Sequence, residues 1–260
     1  IRLSLVGSEM CIRDRFRGVI GHRYTRRNLS RILSAVDQYL REDAGLDPAN
    51  CTIPIGYDTR FLAREAAHFT ARTLDQLGYS PVVAEWPCPS PYLSYCTRKL
   101  EAPIGLELTA SHNPPLYGGL KLKGSHGGSL LPADVQVIRN RAAALEDEDE
   151  PQPLVGADYP ESFDLRSSYT RAVLAAAATG GDPEQYITVD YMHGTTVNVY
   201  RDVLDDAYRL NQGLREEPDA YFGGRKPEPV PANLKDLAVR IGYDGHNSIG
   251  LASVSYTHLT

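Results

Sequence analysis

The sequence predicts two consecutive three-layer α/β domains with mixed sheets. Three observations carry this. Strand-like and helix-like segments alternate from residue 27 to residue 145, the pattern of a parallel or mixed sheet covered on both faces. The acidic run Glu146-Asp147-Glu148-Asp149-Glu150, followed by Pro151 and Pro153, interrupts that rhythm and reads as a solvated linker. Beyond it the same strand–loop–helix grammar resumes.

In the first unit, Leu29, Ile32, Leu33, Val36 and Leu40 recur at helical spacing between Arg27 and Ala44, and Gly45 is a stop. Thr52 to Tyr57 reads as a strand, and Leu62 to Leu77 as a helix ended by Gly78. Pro81 to Glu85 reads as a short strand and Pro91 to Leu100 as a short helix, with proline at its start. Ile104 to Thr109 alternates apolar residues and reads as a buried strand. Pro115 to Gly119 reads as a turn, the residues around Leu120 as a strand, and Ala133 to Leu145 as a helix. In the second unit a helix is expected from Phe163 to Ala178, then a strand from Tyr186 to Asp190. A Met192-His193-Gly194 turn, a helix through Val203 and a strand from Ser248 to Ala252 follow.

Composition narrows the function classes. A chain of 260 residues with 42% hydrophobic content suits one large or two ordinary globular domains. It has no run of about 18 apolar residues, so no membrane-spanning helix is expected. A net charge of −6 argues against a nucleic-acid partner held by phosphate contacts, yet allows a local cluster of basic residues around one sugar phosphate. Cys51, Cys88 and Cys96 lack metal-ligand spacing, which leaves reduced thiols and a cytoplasmic setting as the simplest expectation. Nothing in the sequence specifies an oligomeric state.

The chemistry concentrates in Thr109-Ala110-Ser111-His112-Asn113-Pro114. Ser111 follows a buried strand, where open α/β sheets place their ligands. A free serine hydroxyl is a weak nucleophile and needs activation. Lys121 lies ten residues on, in Gly119-Leu120-Lys121-Leu122, and a hairpin return would bring its ammonium toward the hydroxyl. A polar turn in which the serine only bonds its own backbone is the alternative.

This hexapeptide and the following Gly-Leu-Lys resemble the active-site loop of the α-D-phosphohexomutases, the phosphoglucomutase/phosphomannomutase superfamily. Phe16-Arg17-Gly18-Val19-Ile20-Gly21 is similar to the family's N-terminal arginine-glycine segment, though the Phe-Gly-Thr-like run that precedes it there is missing here. Gly56-Tyr57-Asp58-Thr59-Arg60 matches closely; Asp58 could also cap the next helix and so fix the loop, while Arg60 pairs with carboxylates or supports the phosphate site. Pro89-Ser90-Pro91 adds to the likeness without a mechanistic role. Val189-Asp190-Tyr191-Met192-His193-Gly194 and Gly223-Gly224-Arg225-Lys226-Pro227-Glu228-Pro229 resemble second-domain segments, with His193 read as part of a plain turn. Ile249 to Ala252 resembles the strand before the family's Asp-Gly-Asp-x-Asp-Arg metal loop, but Ser253-Val254-Ser255 stand in that loop's place and Asp244 reads as a turn residue.

The resemblance implies residues 16–145 as the first domain of a four-domain phosphohexomutase, 146–160 as a linker and 161–252 as most of the second domain. Leu3 to Asp14 and Val254 to Thr260 resemble translated adapter sequence, so residues 1–15 and 253–260 are expected to be non-native. It further implies a phosphotransferase that interconverts hexose 1-phosphate and hexose 6-phosphate, of glucose or mannose, through a phosphoserine at Ser111 and a hexose 1,6-bisphosphate. Catalysis would be mainly positioning and charge neutralisation. Arg17 would reach the phosphoryl oxygens. Lys121, ahead of His112, would act as general acid and base. Arg60 and Asn113 would support the loop. Mg²⁺ would bind an oxygen of the Ser111 phosphate and carboxylates of the absent loop. The fragment is therefore expected to be inactive alone, and the particular hexose is left open. A non-catalytic phosphosugar-binding protein of the same fold is the alternative. A serine hydrolase is disfavoured, because no Gly-x-Ser-x-Gly elbow is present and adjacent Ser111 and His112 are not expected to pair.

Overall fold

The computed structural model describes residues 11–12, 15–145, 160–176, 186–207, 209–244 and 248–254. The expected linker run at 146–150 and its prolines lie outside the described residues. So do most of the two terminal segments.

The first body is built on a seven-stranded mixed sheet. In chain order its elements are β1 (Cys11–Ile12), β2 (Arg15–Val19), α1 (Arg26–Gln38), β3 (Thr52–Tyr57), α2 (Ala63–Gln76), β4 (Ser80–Ala84), α3 (Ser90–Lys99), β5 (Ile104–Leu108), β6 (Tyr117–Gly124), α4 (Pro132–Ala144), β7 (Glu161–Phe163) and α5 (Arg166–Ala176). The strand order is β1-β2-β6-β5-β3-β4-β7. β5, β3, β4 and β7 run parallel, while β6 is antiparallel to both β5 and β2. The C-terminal ends of β2, β3 and β5 therefore share one edge of the sheet, and the start of β6 joins them.

The period-2 pattern of β5 sorts the layers. Leu106 and Leu108 enter a large core with Leu33 and Val36 of α1, Leu74 of α2 and Ile138 of α4. Glu107 faces the other way, toward Ser90 at the start of α3. On that second face Tyr92, Leu93 and Cys96 of α3 pack with Phe163 and Tyr169. Among the described residues, three helices thus cover one face and two the other. Thr25 starts α1, its hydroxyl accepting from the Asn28 amide at 3.2 Å. Gly45 and Gly78 turn the chain after their helices with φ of 65° and 92°, which glycine adopts without a Cβ penalty.

Several expectations shift. The segment before Gly45 divides into α1 and a π-helical turn at Tyr39–Asp43. Tyr117 to Gly119, expected as turn, already pair as β6 against β2. Phe163, expected to open a helix, ends the edge strand β7 beside β4, and the helix starts at Arg166. Arg15, set aside as non-native, pairs with Lys121.

The second sheet is smaller. Its elements are β8 (Tyr186–Asp190), α6 (Val197–Ala207), β9 (Arg209–Leu214), α7 (Lys235–Asp244) and β10 (Ser248–Ala252), with strand order β10-β8-β9, all parallel. β9 carries too little periodicity to be read from sequence, and α7, though amphipathic, was not anticipated. The buried Asp190 carboxylate holds Arg215 in a two-pronged ion pair and accepts from the Met192 amide at 3.1 Å. Among the described residues no helix is long and apolar enough to cross a membrane.

Gly119 lies where β6 passes close to β2 and to Thr109 at the end of β5. A Cβ there would meet the Phe16 carbonyl oxygen at 2.6 Å and the Thr109 carbonyl oxygen at 2.7 Å, both main-chain atoms that cannot swing aside. Gly119→Ala is expected to cost about 1–3 kcal/mol of stability through overpacking; urea denaturation followed by fluorescence of the single tryptophan, Trp86, measures it.

Candidate active site

Ser111 sits just past β5, buried, with φ of 59°. A non-glycine residue in the left-handed region costs about 1–3 kcal/mol and persists only where its surroundings impose it. Here they do. The Ser111 amide donates to Thr109 Oγ1 at 3.0 Å, and the Asn113 side-chain amide donates to the Ala110 carbonyl at 2.7 Å.

Arg60 supplies the main constraint. Its Nε donates to Asp58 Oδ2 at 3.0 Å. Nη1 donates to the carbonyls of Pro114 at 2.7 Å and Tyr117 at 3.1 Å. Nη2 donates to the carbonyls of Ser111 at 2.6 Å and Asn113 at 2.7 Å. All five guanidinium N–H groups thus find acceptors. The Phe222 ring lies 5.0 Å from the guanidinium carbon.

Asp58 is itself buried and accepts from the Arg60 amide at 3.0 Å and from Thr109 Oγ1 at 2.6 Å. It does not cap α2, whose N-cap is Leu62 without a side-chain bond. Burial pushes the Asp58 carboxyl up from its ordinary value, against the opposing pull of Arg60 and Thr109.

The other expected residues are distributed as follows. Arg17, on β2 opposite Gly119, donates from Nη1 to Asn113 Oδ1 at 3.2 Å, so it is tethered to the loop by a side chain read only as supporting. His112 is exposed, with Nδ1 3.3 Å from Ser111 Oγ. The two neighbours thus come within hydrogen-bonding distance, although adjacent residues do not easily form a nucleophile–base pair; which atom donates depends on the His112 tautomer. Lys121 lies opposite Glu107 in the β5–β6 hairpin. Its Nζ donates to Ser90 Oγ at 2.8 Å and lies 3.5 Å from Glu107 Oε2. Ser90 Oγ is in turn 2.7 Å and 2.6 Å from the two Glu107 oxygens. Lys121 is therefore part of a buried ion pair that sequence reasoning missed. The signal was there, since a carboxylate inside the apolar strand Ile104–Leu108 needs a partner.

Besides the Phe222 contact on Arg60, the second body reaches this edge through a hydrogen bond and an electrostatic influence. Thr59 Oγ1 donates to the His193 carbonyl at 3.1 Å. Glu228, in the Pro-rich loop, is held below its usual carboxylate range chiefly by Lys226, and His112 adds to that effect.

A hard cation such as Mg²⁺ takes carboxylate-rich oxygen ligands. Among the described residues no group of three His, Cys, Asp or Glu side chains gathers around one point. Asp58 and Glu107 are already committed to Arg60 and Lys121. The described residues thus do not fit the ion by themselves.

A strained serine at the carboxyl edge of a mixed α/β sheet, clamped by a saturated arginine, defines a class of site built to present one hydroxyl. Residues 13–149 match the family model of the phosphoglucomutase/phosphomannomutase α/β/α domain I. The chain belongs to this family. A phosphoglucomutase of Staphylococcus haemolyticus is 31% identical over 246 residues, covering 90% of this chain and 43% of that relative. A Methanothermobacter thermautotrophicus protein assigned as a phosphoglucosamine mutase is 28% identical over 200 residues, covering 77% and 43%. The crystal structure of a Thermus thermophilus protein assigned as a phosphomannomutase superposes with a TM-score of 0.82 at 31% identity, covering 94% of this chain and 54% of that one. The chain thus spans about half the length of the relatives it matches.

Removing Arg60 would leave the Asp58 charge buried and four carbonyls without their donor. Arg60→Met is expected to lose about 3–5 kcal/mol of stability. Arg60→Lys, which keeps the charge but not the planar fork, is expected to lose less. Urea denaturation of both variants measures the difference.

Proposed function

We propose that this chain forms the phosphoserine-bearing part of a phosphohexomutase that interconverts hexose 1-phosphate and hexose 6-phosphate, of glucose or mannose. The observation that carries the reading is Ser111: a non-glycine residue at φ 59° whose hydroxyl stands at the sheet edge while Arg60 grips its loop.

In this reading the Oγ–phosphorus bond of phospho-Ser111 breaks as a hydroxyl oxygen of the bound hexose phosphate bonds to phosphorus, giving a hexose 1,6-bisphosphate. The bisphosphate turns over and its other phosphoryl group returns to Ser111 Oγ. The hydroxyl proton must go to a base and later return. His112 Nδ1, 3.3 Å from Ser111 Oγ, and Lys121, held by Ser90 and Glu107, are the two acid/base groups of this reading. Arg17, tied to Asn113, neutralises the phosphoryl oxygens. Mg²⁺ enters as the cofactor expected of the whole enzyme, supplying further charge neutralisation; no step here is assigned to it. The buried free thiols Cys51, Cys88 and Cys96 suit a reducing, cytoplasmic setting.

Peptide mass spectrometry of the full-length parent protein, incubated with glucose 1,6-bisphosphate and Mg²⁺, tests the reading. One phosphoryl group on Ser111 is expected, discharged by excess hexose monophosphate and absent from Ser111→Ala. An unmodified Ser111 in folded protein would leave a non-catalytic phosphosugar-binding protein. The 260-residue chain alone is expected to show no mutase turnover, and Ser111-dependent turnover by it would contradict that part.

A further inference from the structure

A cavity of about 840 Å³ opens between the N-terminal halves of α1 and α2. It is lined by Leu29, Leu62, Phe69 and Tyr24 and rimmed by Arg26, Arg64 and Arg72. Neither Ser111, Arg60, Arg17 nor Lys121 lines it. That volume falls in the range of small-molecule sites, which combine an apolar wall with a few convergent polar groups.

Its charge is out of balance. In a chain of net charge −6, three arginines line this cavity, and among the described residues Glu65 is the single carboxylate of the lining. Arg64 and Arg72 form no ion pair with a described carboxylate, and Arg72 Nε is buried without a hydrogen-bond partner among the described residues. Arg26 stands in the first turn of α1, a turn with no acidic residue, where the helix dipole already concentrates positive potential. Its guanidinium covers the Phe69 ring at 4.9 Å. Leu62 holds φ of 60°, one of several non-glycine residues in the left-handed region, and exposes its side chain at the cavity mouth. His68, also in the lining, is pushed below its ordinary pKa by burial and then by Arg64 and Arg72, with Glu65 opposing them.

We propose that this groove is a second binding site, separate from the Ser111 loop, for an organic phosphate with an apolar body. The phosphate is taken by Arg64 and Arg72, with Arg26 adding charge, and the body lies against Leu29, Leu62 and Tyr24. Arginine suits this task because its fork meets phosphate oxygens through two parallel hydrogen bonds. The inference does not rest on the mutase reading.

Isothermal titration calorimetry of the 260-residue chain with AMP and with inorganic phosphate tests it. Saturable AMP binding is expected, tighter than that of inorganic phosphate. Arg64→Ala with Arg72→Ala is expected to weaken AMP binding about tenfold or more, equivalent to about 1.4 kcal/mol or more. Glu65→Gln is expected to strengthen it, and Ser111→Ala to leave it unchanged. Circular dichroism checks that the variants stay folded. The proposal is overturned by an absence of saturable AMP binding at millimolar concentration, by equal affinity for inorganic phosphate, by indifference to the arginine and Glu65 variants, or by loss of binding in Ser111→Ala.

Discussion

The saturated guanidinium of Arg60 is the constraint on which the rest of the site depends. Four carbonyls of the Ser111 loop converge on it, and none of them could face the sheet edge without a donor of that shape. Arginine alone among side chains offers five N–H groups in a fixed plane. Asp58 sets that plane by holding Nε, and Thr109 closes the circuit by donating to Asp58 while accepting from the Ser111 amide. The left-handed serine thus follows from an ion pair built on the neighbouring strand. Burying such a pair is costly for stability; the gain is a hydroxyl fixed in one place.

The same edge explains why the two bodies meet where they do. β3 and β5 end side by side, so the loops after them share one surface. Phe222 packs on the open face of Arg60, and Thr59 bonds the His193 carbonyl. Segments that looked like unrelated turns in sequence therefore buttress a single loop. Lys121 and Glu107 sit one layer deeper, where Ser90 at the head of α3 joins them.

Much of this was legible in the sequence. Ile104–Leu108 and Thr52–Tyr57 were legible as short runs rich in buried apolar residues, because both strands lie inside the sheet, and their bounds were read closely. The Ser111 hexapeptide and the Gly56-Tyr57-Asp58-Thr59-Arg60 segment were singled out together, although nothing local says that one clamps the other. That link is tertiary: it needs β3 and β5 as parallel neighbours. A helix cap was the local alternative for Asp58, since capping is a common use of an aspartate before a helix, but its carboxylate goes instead to its neighbour Arg60 and to the distant Thr109. β7 was missed because three residues carry no periodicity, and β9 because its apolar pattern is weak. The Glu107–Lys121 pair was hidden by attention to the lysine alone.

Arg60 is expected to hold the Ser111 loop in one preformed geometry. Hydrogen exchange at the Ser111 and Asn113 amides, bonded to Thr109 Oγ1 and to the Ala110 carbonyl, tests it most directly. Strong protection is expected, approaching that of the β5 amides and collapsing in Arg60→Lys while β5 stays protected. Rapid exchange at both amides in the unaltered chain, or protection indifferent to Arg60→Lys, would contradict the account.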